Sequence, residues 1–342
     1  MLILSGKWLG REGFYEAQID NILFYKSLAK IDKIETNSFI IFSYDLAKET
    51  LGVHIKKSPF PTVVIVKTTK FNKLSSFNEN YSLSPITNSL RDEEFMDRVS
   101  EIRRLIENGT VYQINLTNRF DFELNGSPLG LFFDFYRKQP VPFGFFLSTS
   151  DFFILSGSME LFLEKRCNKI ISKPIKGTSK CIEELRESLK DKAENLMITD
   201  MMRNDLGRIC HFGSVRTTEL FKITKYKTLY QMHSTVEGLT DSSIVDVIKG
   251  TFPPASVTGA PKRKAVELID LLEPHFRGYY CGAAGLVRES GDFALSVLIR
   301  TAIGMEKKLS YYAGCGIVWD SLVEKEIKEL YLKVKAFYEF KK

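Results

Sequence analysis

The chain has 342 residues, 44% of them hydrophobic and 26% charged, and carries a net charge of +6 from 48 basic and 42 acidic side chains. That length allows about two domains or one large one, and the composition excludes disorder, a collagen-like repeat and a disulfide-stapled miniprotein. The basic residues are dispersed, with no block denser than Lys262-Arg263-Lys264, whereas nucleic-acid footprints cluster their charge; no nucleic-acid partner is expected. The five cysteines, Cys167, Cys181, Cys210, Cys281 and Cys315, are an odd number without a C-x-x-C pair, and read as free thiols in a reducing compartment. The four histidines lack zinc-ligand spacing. No apolar run approaches the roughly 18 residues of a membrane span, and Met1 to Gly10 lack the order of a signal peptide. A cytoplasmic protein without membrane contact is the expectation.

In chain order, Phe39-Ile40-Ile41-Phe42 and Val63-Val64-Ile65-Val66 read as buried strands of a short N-terminal region, residues 1–71. Residues 72–89 are rich in Asn and Ser and predict a linker or surface loop. Phe95, Val99, Ile102 and Ile106 recur at helical spacing, with Gly109 as the stop signal. From Ile182 to Met202 a single helix is predicted, with Leu185, Leu189 and Leu196 as its inward stripe and Gly207 able to end it. Another helix follows Pro261 and stops at Glu273-Pro274. Between Tyr279 and Val318 the pattern turns to strands, broken at Ser290-Gly291-Asp292 and Glu306-Lys307-Lys308; turns this short join antiparallel neighbours. The last helix carries a capping-box signature, Ser321 with Glu324, and an apolar stripe of Ile327, Leu330, Tyr331, Val334 and Tyr338.

Three patterns bear on chemistry. On the last helix, Glu326, Glu329 and Lys333 share the face opposite the apolar stripe, and Asp191 and Glu194 share the face of the earlier helix away from its leucines. Two acid-x-x-acid pairs facing each other would suit Mg²⁺; two solvated helix faces would look the same. Second, Pro174-Ile-Lys-Gly-Thr178, Ser256-Val-Thr-Gly-Ala-Pro-Lys262 and Ala313-Gly-Cys-Gly316 put small residues where backbone N–H groups could meet an anion, or form plain turns. None is a phosphate or dinucleotide fingerprint. Third, Lys176 lies inside the first of these turns and not on a helix face. It is either a surface lysine or a desolvated amine able to act as base or nucleophile.

Taken together and in this order, the segments resemble the chorismate-utilising enzymes. The resemblance rests on Gly109-Thr-Val-Tyr-Gln-Ile-Asn-Leu-Thr117, Pro174-Ile-Lys-Gly-Thr178, Glu194-Asn-Leu-Met-Ile-Thr-Asp200 running into Arg203-Asn-Asp-Leu-Gly207, residues 252–262, Glu273-Pro-His-Phe-Arg-Gly-Tyr-Tyr280, Leu298-Ile-Arg-Thr301 and Ala313-Gly-Cys-Gly-Ile-Val318. It covers residues 90–340, with a weak extension to Ser43-Tyr44-Asp45-Leu46. The fold it implies is mixed α/β (α+β), two packed antiparallel sheets with outer helices, with residues 90–342 as the chorismate-binding catalytic domain.

Within the family the resemblance runs to the aminodeoxychorismate synthases, component I, with anthranilate synthase component I as the alternative and a non-catalytic chorismate-binding protein as a distant third. The discriminating residue is Lys176, where anthranilate synthases usually have alanine. The resemblance implies that Lys176 forms a covalent intermediate with chorismate, that Glu160 is the general acid, and that Glu194 and Glu329, supported by Asp191 and Glu326, bind Mg²⁺. It places Gly177, Thr178, Tyr280, Arg300, Gly314, Gly316 and Lys333 against the substrate. Gln113 stands where water-using relatives carry a lysine, which favours ammonia over water as nucleophile. The implied ammonia source is a separate glutamine amidotransferase subunit. Met159 replaces a usual proline beside Glu160, and the proline and arginine that often follow Gly177-Thr178 are missing. A Leu-Leu-Glu-Ser element is absent, so feedback by tryptophan is not expected.

Overall fold

The computed structural model describes residues 1–31, 34, 36–74, 79–225 and 230–339. Runs of β-branched and aromatic residues give eighteen strands among the described residues: β1 (Leu2–Ser5), β2 (Phe14–Tyr25), β3 (Ser38–Phe42), β4 (Val63–Lys73), β5 (Tyr81–Asn88), β6 (Gln113–Gly126), β7 (Phe143–Ser148), β8 (Phe153–Ser158), β9 (Leu161–Arg166), β10 (Lys169–Lys173), β11 (Ile175–Ser179), β12 (Arg216–Lys225), β13 (Tyr230–Leu239), β14 (Gly259–Ala260), β15 (Ala283–Val287), β16 (Phe293–Val297), β17 (Thr301–Met305) and β18 (Lys308–Ile317). The helices are α1 (Ala47–Leu51), α2 (Asp92–Glu107), α3 (Pro128–Lys138), α4 (Ile182–Glu187), α5 (Leu189–Gly207), α6 (Ile244–Thr251), α7 (Lys262–Leu272) and α8 (Val323–Lys335).

The strand pairings are antiparallel and run in the order β12-β13-β10-β9-β16-β15-β3-β4-β2-β1-β7-β8-β17-β18-β6-β5. Strand β11 continues β10 alongside β13, and β14 adds to β6. The two sheets of the sandwich are thus continuous where β2 hands over to β1. They pack face to face: Phe39, Ile41, Val64 and Leu295 of one share a core with Phe145, Leu147, Ile154, Ile303 and Tyr312 of the other. The intervening residues Phe146, Leu155, Ala302, Tyr311 and Ala313 point the opposite way, into a second core beneath α2, α3, α7 and α8. Period-two alternation therefore builds both layers from the same strands.

Three local expectations need correction. Part of the 72–89 stretch is the strand β5, paired with β6; Tyr81 and Leu83 tuck partly under the second core, while Ser82 and Ser84 beside them face outward and mask the alternation. Residues 75–78 lie outside the described residues. The single helix of 182–202 is two, because the Ser188 hydroxyl accepts a 3.1 Å hydrogen bond from the Asp191 N–H and starts α5 afresh. That cap resets the helical phase: Leu189 and Leu196 are 80% and 45% exposed, and Asn195, Ile198, Thr199, Met202 and Leu206 face inward. Finally, Ser321 does not cap α8. Its hydroxyl accepts a 3.1 Å bond from the Val318 N–H, closing the turn ahead of a helix whose N-cap is Leu322, and Tyr338 falls beyond the last turn. Among the described residues no helix is long and apolar enough to cross a membrane.

Candidate active site

Lys176 owes its position to a bulge. Ile175 pairs with His233 and Thr178 with Gln231, so three steps along β11 match two along β13, and the extra residue redirects the strand locally. Gly177 sits there at φ +84°, and a Cβ on it would press against Asp191 and Leu185; only glycine fits both constraints. The Lys176 side chain is 13% exposed and its Nζ lies 3.7 Å from Glu194 Oε2. It is not a solvated surface lysine.

On the other side of Lys176, a Cβ on Gly316 would come within 3.0 Å of Nζ and collide with the Gln113 amide. Gly314 and Gly316 lie on β18 against the β6 residues Thr117 and Asn115, leaving a slot floored by backbone. Gln113 is buried, and its Oε1 has no hydrogen-bond partner. A buried unpaired acceptor is costly, so a polar ligand is a natural occupant of this slot.

Glu160 follows β8 and is 5% exposed. Burial pushes its carboxyl up to about 7, against the opposing pull of the Ser256 hydroxyl, the Lys176 charge and the Ile175 N–H. A carboxyl poised near neutrality can hold a proton and release it at ordinary pH.

The two acidic helix faces do meet. Glu194 from α5 and Glu326 and Glu329 from α8 gather around Lys190, whose Nζ is 3.5 Å from Glu326 Oε1 and 3.9 Å from Glu194 Oε1. Glu326 is not on a solvated face: its side chain is only 3% exposed. Glu194 is raised, first by burial and then by Asp191 and Glu329, although Lys176 and Lys190 oppose this. For Glu329, burial pushes up, but Lys333 at 2.6 Å together with the Lys176 and Lys190 charges outweighs it, and the carboxyl titrates below its ordinary value. Lys333 also donates to the Gly314 carbonyl at 2.7 Å, and its own carbonyl accepts from Arg300 and from the Tyr311 hydroxyl. Arg300 stands at φ +53° in the turn between β16 and β17. Tyr280 is buried and stacks on Tyr312 with ring centroids 5.2 Å apart. Thr178 differs from the others, being exposed beyond the bulge.

Three neighbours of the site carry no individual role in the sequence reading. Lys190 stands four residues before Glu194, a spacing visible in the sequence but ordinary for a surface pair. Ser256 lies in a loop whose path only the fold reveals. Cys315, between the two glycines, has its Sγ among the Glu326 and Glu329 carboxylates. Burial pushes that thiol up to about 12, and it donates to the Glu326 carbonyl at 3.3 Å, so it stays protonated.

The site therefore joins an amine, a near-neutral carboxylic acid and a carboxylate cluster, with Arg300 and Lys333 as donors for an anion. Over residues 24–339 the chain matches the model of the chorismate binding enzymes. It belongs to that family. Relatives in the family include the chloroplastic aminodeoxychorismate synthase of Arabidopsis thaliana, 39% identical over 71% of this chain and 28% of its own length. The aminodeoxychorismate synthase component 1 of Salmonella typhimurium is 36% identical over 70% of this chain and 56% of that one. The anthranilate synthase component 1 of Saccharolobus solfataricus is 34% identical over 75% and 64%. The chain thus spans less than two thirds of the length of these relatives. The family fold is matched by the anthranilate synthase component I of Streptococcus pneumoniae, with TM-score 0.80 at 22% identity over 98% of this chain and 91% of that one. The menaquinone-specific isochorismate synthase of Escherichia coli gives TM-score 0.74 at 13% identity over 98% and 87%.

Proposed function

We propose that this chain is an aminodeoxychorismate synthase component I, converting chorismate and ammonia to 4-amino-4-deoxychorismate by way of a covalent bond to Lys176. The observation that carries this reading is the placement of Lys176, sheltered in the slot beside Gly316 and Gln113 and within electrostatic reach of Glu160. The Lys176 amine, in its neutral form, attacks C2 of the ring. Both double bonds of the ring diene shift by one position, and the C4 hydroxyl leaves as water with the proton of Glu160. Ammonia then adds at C4, both double bonds shift back, and the C2–N bond to Lys176 breaks. The secondary ammonium formed at C2 leaves as the neutral Lys176 amine, and the proton shed by the ammonium now at C4 returns to the Glu160 carboxylate, which restores both groups. One difficult displacement becomes two easier ones.

Gln113 supports ammonia over water, since an amide side chain cannot remove a proton from water. Arg300, Lys333 and the backbone of Gly314 and Gly316 would hold the two carboxylates of the substrate, with Tyr280 against its ring and Gly177 and Thr178 flanking the nucleophile. Glu194 and Glu329, with Asp191 and Glu326 beside them, would hold Mg²⁺. Their hard oxygen donors fit that ion, and the ammonium of Lys190 already stands among them as a cation. When bound, Mg²⁺ would neutralise a substrate carboxylate and fix its orientation. Ammonia would come from a separate glutamine amidotransferase subunit.

The test is mass spectrometry of the products formed from chorismate, Mg²⁺ and an ammonium salt at mildly alkaline pH. A product that keeps the enolpyruvyl group and yields p-aminobenzoate only after a lyase is added supports the reading. Anthranilate formed without the lyase would overturn it in favour of the second reading, anthranilate synthase component I, which the similarity to the Saccharolobus solfataricus protein of that name favours.

A further inference from the structure

Lys190 is unusual among the site's cations. It belongs to neither the slot of Lys176 nor the Lys333–Gly314 contact, yet it lies between carboxylates of two helices, 3.9 Å from Glu194 and 3.5 Å from Glu326, with Glu329 also in electrostatic range. Glu326 and Glu194 are 3% and 13% exposed, whereas the Lys190 side chain is 43% exposed. Burying two carboxylates without a counter-charge is costly. Lys190 places an ammonium counter-charge between them.

We infer that Lys190 is a resident counter-ion that competes with the divalent cation for the Glu194–Glu326–Glu329 cluster and must swing out for the metal to bind. The asymmetry in exposure decides which partner moves. The Glu194 and Glu326 carboxylates are largely buried on α5 and α8, while a half-exposed lysine can turn its flexible stem into solvent and regain hydration there. Like charges repel across the few ångströms available, so ammonium and metal exclude one another. Lys190 keeps its charge throughout and changes only its position. The free protein is accordingly a weak metal binder with its acidic helices already neutralised, and no repulsion between α5 and α8 has to be overcome while the site waits. This inference rests on the proposed metal role of Glu194 and Glu329.

The test is the affinity of the substrate-free chain for Mn²⁺, a paramagnetic substitute for Mg²⁺, read by electron paramagnetic resonance, with Mg²⁺ titrations by calorimetry alongside. Lys190→Met keeps the stem and removes the charge; Lys249→Met, on α6 beside the opposite end of α5 from Lys190, removes an equal charge elsewhere. Lys190→Met is expected to tighten Mn²⁺ and Mg²⁺ at least about tenfold, to lower the melting temperature of the metal-free chain, and to enlarge the stabilisation gained on adding metal. Lys249→Met should leave the affinities where they were. If Lys190→Met proves poorly folded, Lys190→Gln carries the same prediction. Equal or weaker binding in the Lys190 variants would overturn the competition while leaving the carboxylate site standing. Binding by neither wild type nor variant would overturn both the competition and the metal site it rests on.

Discussion

Lys176 and Glu194 face each other at 3.7 Å although one comes from a bulged strand and the other from a helix that begins after a serine-capped break. The bulge at Gly177 aims the lysine, and the cap at Ser188 sets the helical phase that turns Glu194 toward it. Either feature alone would leave the pair apart.

Lys176→Ala is expected to bring amination of chorismate down to background while substrate binding persists, since Arg300 and Lys333 are untouched. The measurement is aminodeoxychorismate formation by coupled lyase assay, with binding followed by calorimetry. Undiminished turnover would remove the covalent mechanism. In the wild type, a denaturing quench during turnover should trap a protein mass raised by the ring adduct.

Glu160 gives a pH prediction. Its carboxyl is raised to about 7, chiefly by burial, so the protonated form that can serve as acid dominates below that value and is lost as pH rises through it. The rate of hydroxyl departure should therefore fall on the alkaline side with a midpoint near 7 in the free enzyme. Ser256 donates to this carboxylate and pulls the value down. Ser256→Ala should therefore shift the alkaline limb of kcat/KM upward in pH, and a downward shift would contradict this assignment. Glu160→Gln should cost about 10²–10⁴ in rate, the usual range for a positioned acid.

The sequence exposed the chemistry better than it exposed the burial. The hairpins β15–β16 and β17–β18 were readable from turn residues, and helical spacing showed that each acidic pair shares a face, though not that the two faces meet. The orientation of α5 was not, because the leucines at 185, 189 and 196 imitate one continuous stripe across a break that only the Ser188 cap reveals. Nor was the burial of Glu326, since a carboxylate opposite an apolar stripe ordinarily faces water. Strand β5 was hidden for a related reason: an edge strand needs apolar residues on one face only, and its serines and asparagines resemble a loop.

Gly316→Ala should damage the site without damaging the fold. An added Cβ would lie 3.0 Å from Lys176 Nζ and against the Gln113 amide, while the β18–β6 ladder around it would persist. Because the methyl group occupies substrate space, KM should rise together with a fall in kcat, and the melting temperature should stay within a few degrees of wild type. A large loss of stability with unchanged KM in the surviving protein would mean that Gly316 serves packing alone.

The last relationship concerns what holds α5 in register with the rest of the site. Lys262, at the start of α7, lies 2.5 Å from Asp205 near the end of α5 and donates to the Thr251 carbonyl at 2.7 Å, with both charged side chains at most 10% exposed. Burial pushes the lysine down and the aspartate up, each opposed by the other's charge. Removing one partner strands the other in a dry interior, so Lys262→Met should destabilise the fold by about 3–5 kcal/mol in urea unfolding. The double variant Lys262→Met with Asp205→Leu removes both charges and should recover most of that loss, because a buried pair gains little over well-packed apolar groups once its desolvation is counted. The recovered protein should nevertheless aminate chorismate poorly, since the ion pair fixes the angle of α5 and with it the distance from Glu194 to Lys176. Full recovery of both stability and activity would show that packing alone sets that angle.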